Sequence, residues 1–281
     1  MSGWCLIVAT RGRVGEVERL LASLAALQGS VPRILLMDQN EDGRLAPVVG
    51  EWQTRLRIEH HVIPPRGVSQ ARNAGLSLLA DEPFVAFPDD DCTYEPNALQ
   101  QAEAAFMSHA EVDALISTWS DFHEPLPPQA GELVVERCTR ISALRQSPTY
   151  TLFFRRAGIL RAAGFDQTLG PGGGTPWLCG EDADYLIRAG GPACLIGRTA
   201  AIRVHHPRVH TVGDAAKAFG YGRGRMRVLA KHAYPWWFHL ASILHPLALC
   251  LRSSGAERRF RWHLFRGRLG EWLSPHRRSP P

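Results

Sequence analysis

Continuously apolar stretches alternate with amphipathic stretches along the first part of the chain. Trp4–Ala9 and Arg33–Met37 are apolar at nearly every position, which is typical of strands covered on both faces of a sheet. Between them, leucines and valines recur at helical spacing over Val14–Gln28. Arg57–Ile63 fits a third strand. Strands that alternate with helices favour a parallel sheet with crossover helices, so we predict an α/β fold.

The same kind of pattern continues to about residue 205. A short strand is predicted at Phe84–Phe87, and residues 133–144 fit either a strand or a helix. Further helices are predicted at Glu95–Phe106 and Arg155–Ala163, and further strands at Val112–Trp119, Tyr150–Phe154 and Ala200–His205. We expect a sheet-based domain over residues 1–212 and a helical extension over residues 213–281.

Three consecutive aspartates, Asp89, Asp90 and Asp91, follow the short strand at Phe84–Phe87. The carboxyl end of such a strand is where open α/β sheets bind their ligands. Adjacent carboxylates repel one another, so a positive group is expected among them, and a hard divalent cation that carries a phosphate suits this position. The alternative is a turn whose aspartates are simply solvated.

A second candidate site lies in the segment from residue 64 to residue 75. Ser69 can cap a helix that runs to Leu79, which places Arg72 and Asn73 in its first turn. A helix start with an arginine suits a phosphate. The alternative is an ordinary amphipathic helix with a surface arginine. No GxGxxG or P-loop sequence follows the first strand, so the usual dinucleotide and P-loop sites are excluded.

A third candidate site is the start of a predicted helix after the glycine-rich loop at 172–174. Its first turn carries Glu181, Asp182 and Asp184. Acidic residues at this end of a helix are favourable for the helix dipole alone, which is the simpler explanation. A glycine loop that leads into Glu-Asp is also a way to hold a catalytic carboxylate towards a substrate.

Three histidines, His205, His206 and His210, lie within six residues at the end of the last predicted strand. Imidazole is a common metal ligand, so one metal contact is expected among them, although a single histidine is more often structural.

The charge of +5 is unevenly distributed along the 281 residues. Residues 1–219 hold 20 Lys+Arg and 25 Asp+Glu, whereas residues 220–281 hold 12 and 2. The basic character therefore belongs to the C-terminal tail, which can attract either nucleic acid or an anionic membrane surface. No nucleic-acid-reading motif is present, so a nucleic-acid partner is not expected.

The tail contains a basic helix over Asp214–His232, a 17-residue apolar stretch over Pro235–Leu251 and an arginine-rich aromatic stretch over Glu257–Trp272. The apolar stretch is marginal for a spanning helix, which needs about 20 residues. Paired tryptophans with flanking arginines suit a helix in the membrane interface. The alternative is a helix that packs on the domain with its arginines in solvent.

The cysteines and the N-terminus point to a compartment. Six cysteines are scattered without a CxxC pair, which suggests reducing conditions. The apolar start is too short for a signal peptide and is followed by Arg11 and Arg13. With the tail, this predicts a cytoplasmic protein that is peripheral at the inner face of the cell membrane.

The order of these motifs resembles the inverting glycosyltransferases of family 2, over about residues 4–210. The resemblance rests on Thr10-Arg11 after the first strand, Asp38 after the second, Ala71-Arg-Asn-Ala-Gly75, Asp89–Asp91 and Gly180-Glu-Asp-Ala-Asp184. It implies a GT-A fold, a Rossmann-like and mostly parallel sheet flanked by helices, here followed by the basic and apolar helical tail.

The resemblance also implies a role for each motif. Asp38 would bind the base of a nucleotide-diphosphate-sugar donor, Arg72 would lie near the base or diphosphate, and Asp89 would face the ribose. The full set of donor contacts would be Thr10, Arg11, Asp38, Arg72, Asn73, Asp89, Asp90, Trp177 and Glu181. Asp91 and His206 would hold Mg²⁺ or Mn²⁺. Asp182 would be the catalytic base.

The implied reaction is the transfer of one sugar to a hydroxyl of a glycan or lipid-linked acceptor, as in polysaccharide and cell-envelope synthesis. The loops Thr10–Arg13 and Met37–Asn40 depart from the commoner family sequences, and Arg261-Trp262 lacks the glutamine of the processive signature. Two alternatives stay open: a sugar-phosphate nucleotidyltransferase, which would need Arg11-Gly-Arg13 to grip phosphate, and a catalytically silent membrane-bound family member.

Overall fold

The structure is a computed structural model, and it describes residues 3–122, 124, 133–145, 148–208 and 214–274. Its contacts cluster into two compact units. The first unit comprises Met1–Phe165 and Tyr185–Arg208, and the second comprises Asp166–Asp184 and Val209–Pro281. The predicted boundary between residues 212 and 213 lies outside the described residues, as does His210. Residues 166–184, which the sequence analysis kept with the sheet-based domain, group with the C-terminal helices.

The first unit is built around one mixed sheet, which has nine strands in the described part of the chain. The strands are β1 (Trp4–Thr10), β2 (Arg33–Asp38), β3 (Arg57–Val62), β4 (Phe84–Ala86), β5 (Thr93–Tyr94), β6 (Ala114–Ser120), β7 (Glu136–Arg137), β8 (Leu152–Arg155) and β9 (Ile196–His205). Their order is β3-β2-β1-β4-β8-β6-β9-β5, and β7 pairs with β9. Strands β3, β2, β1 and β4 are parallel, whereas β8 runs antiparallel to both β4 and β6. The α/β fold predicted from the sequence is confirmed.

Helices cover the sheet on both faces. They are α1 (Gly15–Ala25), α2 (Ala46–Trp52), α3 (Val68–Leu76), α4 (Ala98–Ser108), α5 (Arg140–Arg145), α6 (Arg156–Ala162) and α7 (Glu181–Gly190), the first turn of which belongs to the second unit. Along β1, Trp4 and Leu6 enter one buried cluster, while Cys5 and Ile7 enter the other. Successive strand residues point to opposite faces, so a continuously apolar strand feeds two cores.

The start of α3 differs from the prediction. Gly67, not Ser69, is the N-cap, with φ of 100° and ψ of 164°, a conformation that glycine adopts far more readily than other residues. The helix therefore begins at Val68, one residue before the predicted cap. Arg72 and Asn73 consequently lie in the second turn of the helix rather than in the first. The ambiguous stretch 133–144 contributes both β7 and most of α5.

The second unit contains a loop over 166–180, the first turn of α7, and the helices α8 (Ala215–Lys231), α9 (Trp236–Cys250) and α10 (Gly255–Leu273). Helices α8 and α10 approach each other through glycines. A Cβ on Gly222 would lie 2.4 Å from the carbonyl oxygen of Leu264, and a Cβ on Gly267 would lie 2.1 Å from that of Phe219. Among the described residues, none of the helices combines the length and the apolarity needed to cross a membrane.

Candidate functional site

The carboxyl ends of β1, β2 and β4 bring the predicted donor-binding residues of the first unit to one edge of the sheet. Thr10 is in register with Asp38 on β2, and Ala9 forms a parallel bridge with Asp89, which follows β4. This arrangement arises because parallel strands end at the same side of a sheet. Thr10 and Asp38 are buried, whereas Arg11 is exposed.

Asp89, Asp91 and His206 form the one group of potential metal ligands found among the described residues. Their ligand atoms lie within 4.8 Å of one another. Nε2 of His206 is 3.1 Å from Oδ1 of Asp91 and 3.8 Å from Oδ2 of Asp89. Carboxylate oxygens suit Mg²⁺ and Mn²⁺, and imidazole is a ligand for many first-row transition metals. The three side chains therefore fit a divalent cation.

Neighbouring residues hold the His206 ring in place. Its Nδ1 lies 2.7 Å from the carbonyl oxygen of Pro207, which accepts the Nδ1 proton and leaves Nε2 facing the carboxylates. The ring of Tyr150 stacks on the imidazole with 4.0 Å between centroids. Burial lowers the pKa of His206, but the hydrogen bond with Asp91 and the charges of Asp91 and Asp89 outweigh burial, so the pKa is raised.

Arg13 supplies a second positive charge at the aspartate triplet. One guanidinium nitrogen, Nη1, lies 2.7 Å from Oδ1 of Asp90 and 2.5 Å from Oδ2 of Asp91. Burial raises the pKa of Asp90, and Arg13 offsets this only in part. Burial would also raise the pKa of Asp91, but the hydrogen bond from His206, with the charges of His206 and Arg13, brings it below its usual range.

Sequence reasoning did not assign Arg13 to these carboxylates. The signal available was the mutual repulsion of three adjacent aspartates, which requires a positive partner.

Arg72 and Asn73 make contacts within the first unit that the sequence did not predict. Arg72 is 4% exposed, its Nη2 lies 2.9 Å from Oδ1 of Asp89, and its guanidinium lies over the ring of Phe165. The amide of Asn73 donates to the carbonyl oxygen of Phe165 and accepts from the N–H of the same residue. Arg72 thus supports an aspartate of the metal group, while Asn73 fixes the chain at Phe165.

Asp38 is wholly buried, and its carboxylate is bound by its neighbours. Oδ1 accepts hydrogen bonds from the backbone N–H and the side-chain amide of Asn40, and Oδ2 lies 2.9 Å from Nε2 of His60. Asn40 also accepts a hydrogen bond of 2.7 Å from the N–H of Gly12, which ties the loops after β1 and β2 together. The side chain of Asp38 thus positions Asn40, a residue that sequence reasoning did not single out.

A cavity of about 360 Å³ opens beside these two loops. Its lining residues are Arg11, Gln39, Asn40, Glu41, Asp42, Arg44 and Pro65. Arginine, amide and acidic side chains together can meet both a nucleobase and a phosphate.

In the second unit, the first turn of α7 carries the predicted catalytic base. Asp182 is half-buried at the second position of this helix, next to the buried Glu181. Asp184 is wholly buried, and its Oδ1 lies 2.9 Å from both Nζ of Lys231 and Nε2 of His232. These two partners account for the burial of Asp184.

Trp177 also lies in the second unit, in the loop that precedes α7. Its indole N–H donates to Oε1 of Glu271 at 3.0 Å, and the guanidinium of Arg227 lies 4.6 Å from the centre of its ring. Glu271 is 3% exposed and also binds Arg223 at 2.7 Å. These contacts fix Trp177 on α8 and α10, and its predicted role in donor binding stays a prediction.

A family model described as glycosyl transferase family 2 matches residues 5–160, more than half of the chain. The chain belongs to glycosyl transferase family 2. No individually curated protein matches this glycosyltransferase. The family that its motifs resemble is thereby confirmed.

Solved structures of glycosyltransferases share the fold of this family 2 member. It is similar to S. aureus TarS 1–349 in complex with UDP-GlcNAc, with a TM-score of 0.61 and 18% identity, over 86% of this chain and 66% of that one. It is also similar to the mannosyltransferase PcManGT from Pyrobaculum calidifontis in complex with GDP-Man and Mn²⁺, with a TM-score of 0.67 and 14% identity, over 96% and 87%. This likeness confirms the GT-A fold. The chain spans just under two thirds of the TarS segment.

Proposed function

We propose that this glycosyltransferase moves one sugar from a nucleotide-diphosphate-sugar to a hydroxyl of a glycan or lipid-linked acceptor, with inversion at the anomeric carbon. The observation that carries the proposal is the group formed by Asp89, Asp91 and His206 at the carboxyl ends of β4 and β9. Two carboxylates and an imidazole with their ligand atoms within 4.8 Å suit a cation that grips a diphosphate.

Asp89, Asp91 and His206 would hold Mg²⁺ or Mn²⁺. When bound, the cation supplies charge neutralisation at the departing nucleoside diphosphate. Arg13 offsets the negative charge of Asp90 and Asp91 from the protein side, and the Pro207 carbonyl keeps Nε2 of His206 turned towards the carboxylates.

The donor's nucleoside would occupy the cavity beside the β1 and β2 loops. Arg11 is exposed at its rim, and Asn40 is fixed in its wall by Asp38. In this proposal, Asp38 acts on the base through its hold on Asn40, because its own carboxylate is wholly buried. The UDP-GlcNAc complex of TarS and the GDP-Man and Mn²⁺ complex of PcManGT support this class of donor and a metal for this chain.

Asp182 is proposed as the general base that takes the proton from the acceptor hydroxyl. Support comes from the family resemblance and from its half-buried position in the first turn of α7. In-line attack by a hydroxyl assisted by one base inverts the anomeric carbon, and it needs no second carboxylate as a nucleophile. Such a base contributes typically ~10²–10⁴-fold to the rate.

The acceptor class and the location are proposed together. A lipid-linked or cell-envelope glycan is available at the inner face of the cell membrane, and the basic C-terminal unit would keep the enzyme there.

The experiment that tests the donor site is a thermal-shift panel of UDP, GDP and their sugar conjugates, each with Mn²⁺ and with EDTA. A ligand that binds only the folded state raises the melting temperature. We expect at least one nucleoside diphosphate to raise it in Mn²⁺ and to lose most of this effect in EDTA. Stabilisation that is equal in EDTA would contradict a metal at Asp91, and the absence of any shift across the panel would contradict the donor class.

A further inference from the structure

We propose that the outward face of α9 docks on an anionic lipid surface. This α9 face consists of Trp236, Trp237, Leu240 and Leu244, together with Leu251, the residue that caps the helix; they are 69%, 51%, 45%, 47% and 75% exposed. The inference rests on the proposed location at the membrane and names the surface that docks there. It does not depend on sugar transfer, because it concerns only helices of the second unit.

The residues of the α9 face form a single stripe. After the tryptophan pair, the leucines follow at intervals of three, four and seven residues, which places all of them on one side of a helix. No Asp, Glu, Lys or Arg occurs between Trp236 and Cys250. An uninterrupted apolar stripe of this kind on a water-facing helix marks an interaction site.

Helix α9 is apolar on its outer side as well as on its buried side, unlike an ordinary surface helix. Its buried side combines Phe238, Ile243 and Cys250 with the polar His239 and Ser242, while its outer side carries tryptophans and leucines. Arg268 donates hydrogen bonds to the carbonyl oxygen and the hydroxyl of Ser242, which satisfies polar groups on the inner side. A surface helix normally buries its apolar residues. The outer side of α9 therefore calls for an apolar environment.

Helices α9 and α10 pack against each other as a helical hairpin. The charges of this hairpin indicate what the environment of the α9 face is. Arg252 follows α9 directly, and Arg258, Arg259 and Arg266 are exposed on α10. Trp262, on α10 as well, is 43% exposed. Exposed arginines on a protein that also presents an apolar helix face complement the phosphates of an anionic bilayer. A second copy of this chain would bring an equally basic hairpin, so charge favours lipid.

The dimensions of α9 suit a position in the plane of the membrane rather than across it. Its 15 residues span about 22 Å, less than the ~30 Å of a hydrocarbon core. Tryptophan rings are enriched at the level of the lipid head groups, where their apolar rings and polar N–H groups are both accommodated. The tryptophan pair at the start of α9 would lie at this level.

The test is co-sedimentation of the full chain with vesicles of phosphatidylcholine, with and without 30 mol% phosphatidylglycerol. We expect binding to the anionic vesicles and a loss of at least tenfold in partitioning for the triple variant Trp237→Ser, Leu240→Ser, Leu244→Ser. The matched control is Met107→Ser with Leu160→Ser, which removes apolar side chains that are 72% and 66% exposed in the first unit. The control is expected to bind as the parent does.

Three further readouts make the result decisive. Arg258→Glu with Arg259→Glu should remove the part of the binding that salt weakens. Brominated lipid should quench tryptophan fluorescence in the parent and quench it less in a Trp236→Ser, Trp237→Ser variant. Circular dichroism and melting curves establish that each variant is folded.

Equal vesicle binding by the triple-serine variant would overturn the proposal. It would also be overturned by a lipid-free dimer, seen by light scattering, that the same variant abolishes, since the face would then join two copies. No nucleotide or sugar is present in this experiment, so its failure is distinguishable from a failure of the proposed transfer reaction.

Discussion

Removal of the His206 imidazole, the one histidine of the metal group, is expected to weaken the binding of Mn²⁺. In His206→Ala, the cation keeps the carboxylates of Asp89 and Asp91 but loses the Nε2 atom that lies 3.1 Å from Oδ1 of Asp91. The same change removes the ring that stacks on Tyr150 and that is oriented by the Pro207 carbonyl. The variant therefore loses both a ligand atom and the contacts that hold this atom in position.

The magnitude follows from the ligand count and from the charge balance. Loss of an outer-sphere partner of a metal ligand typically costs about 10–100-fold in affinity, and loss of one of three ligands is expected to cost at least as much. One opposing effect is present, because His206 also neutralises Asp91, and its removal leaves the carboxylates more negative. Arg13 still contacts Asp91, which limits this gain. We therefore expect a 10–100-fold rise in the Kd for Mn²⁺, or about 1.4–2.7 kcal/mol.

The assay is the titration of Mn²⁺ by electron paramagnetic resonance, with and without a saturating nucleoside diphosphate. The matched control is His205→Ala, the adjacent histidine, whose Nε2 lies 2.8 Å from Glu95 outside the metal group. This control should bind Mn²⁺ as the parent does. The reasoning is refuted if His206→Ala retains the parent affinity, or if both histidine variants lose the same amount.

Three further predictions concern the second unit. Asp182→Asn is expected to lower the transfer rate ~10²–10⁴-fold in a product assay while donor binding by calorimetry is unchanged, and a matching loss of donor binding would argue against a base. Gly180→Ala should cost roughly 1–3 kcal/mol in urea unfolding, because φ is 106° and a Cβ would lie 2.6 Å from Cγ2 of Val228; an unchanged midpoint would contradict this. Burial raises the pKa of Asp166, but its hydrogen bond with Lys231 helps to bring the pKa below the usual value. The resulting stabilisation is present above about pH 3.9 and is lost as the pH falls through the lower folded pKa. Asp166→Asn should therefore make the free energy of unfolding fall less steeply with pH on the acid side, and an unchanged slope would refute this.

The parts of the fold that depend on local periodicity were predictable from the chain. The strands near Trp4 and Arg33 are apolar on both faces, and both lie in the sheet with the predicted direction. The pairing of β8 with β4 and β6 was not predictable, because the strand at Leu152 carries no signal that it runs antiparallel to its neighbours. Strand direction is set by the connections and by packing, not by the residues of a strand.

The candidate site shows the same division between local and distant information. The sequence placed Asp89, Asp91 and His206 at predicted strand ends, with Asp91 and His206 expected to hold the metal and Asp89 expected to face the ribose. The structure groups all three as potential metal ligands. The contact of Arg13 with Asp91 joins residues far apart in the chain, and so does that of Trp177 with Glu271 in the second unit. Such pairs depend on where whole elements are placed, which a single sequence does not encode in any short pattern.

The most direct test of the proposed reaction is the identity of its products. The chain, with Mn²⁺, a nucleotide-diphosphate-sugar selected by the thermal-shift panel and a glycan or lipid-linked acceptor, is expected to release a nucleoside diphosphate and to form a product with inverted anomeric configuration, seen by NMR. Asp91→Asn should abolish both, whereas the matched control Asp81→Asn, at a fully exposed aspartate in the same unit, should not. Release of pyrophosphate, retention of configuration, or full activity of Asp91→Asn would contradict the account.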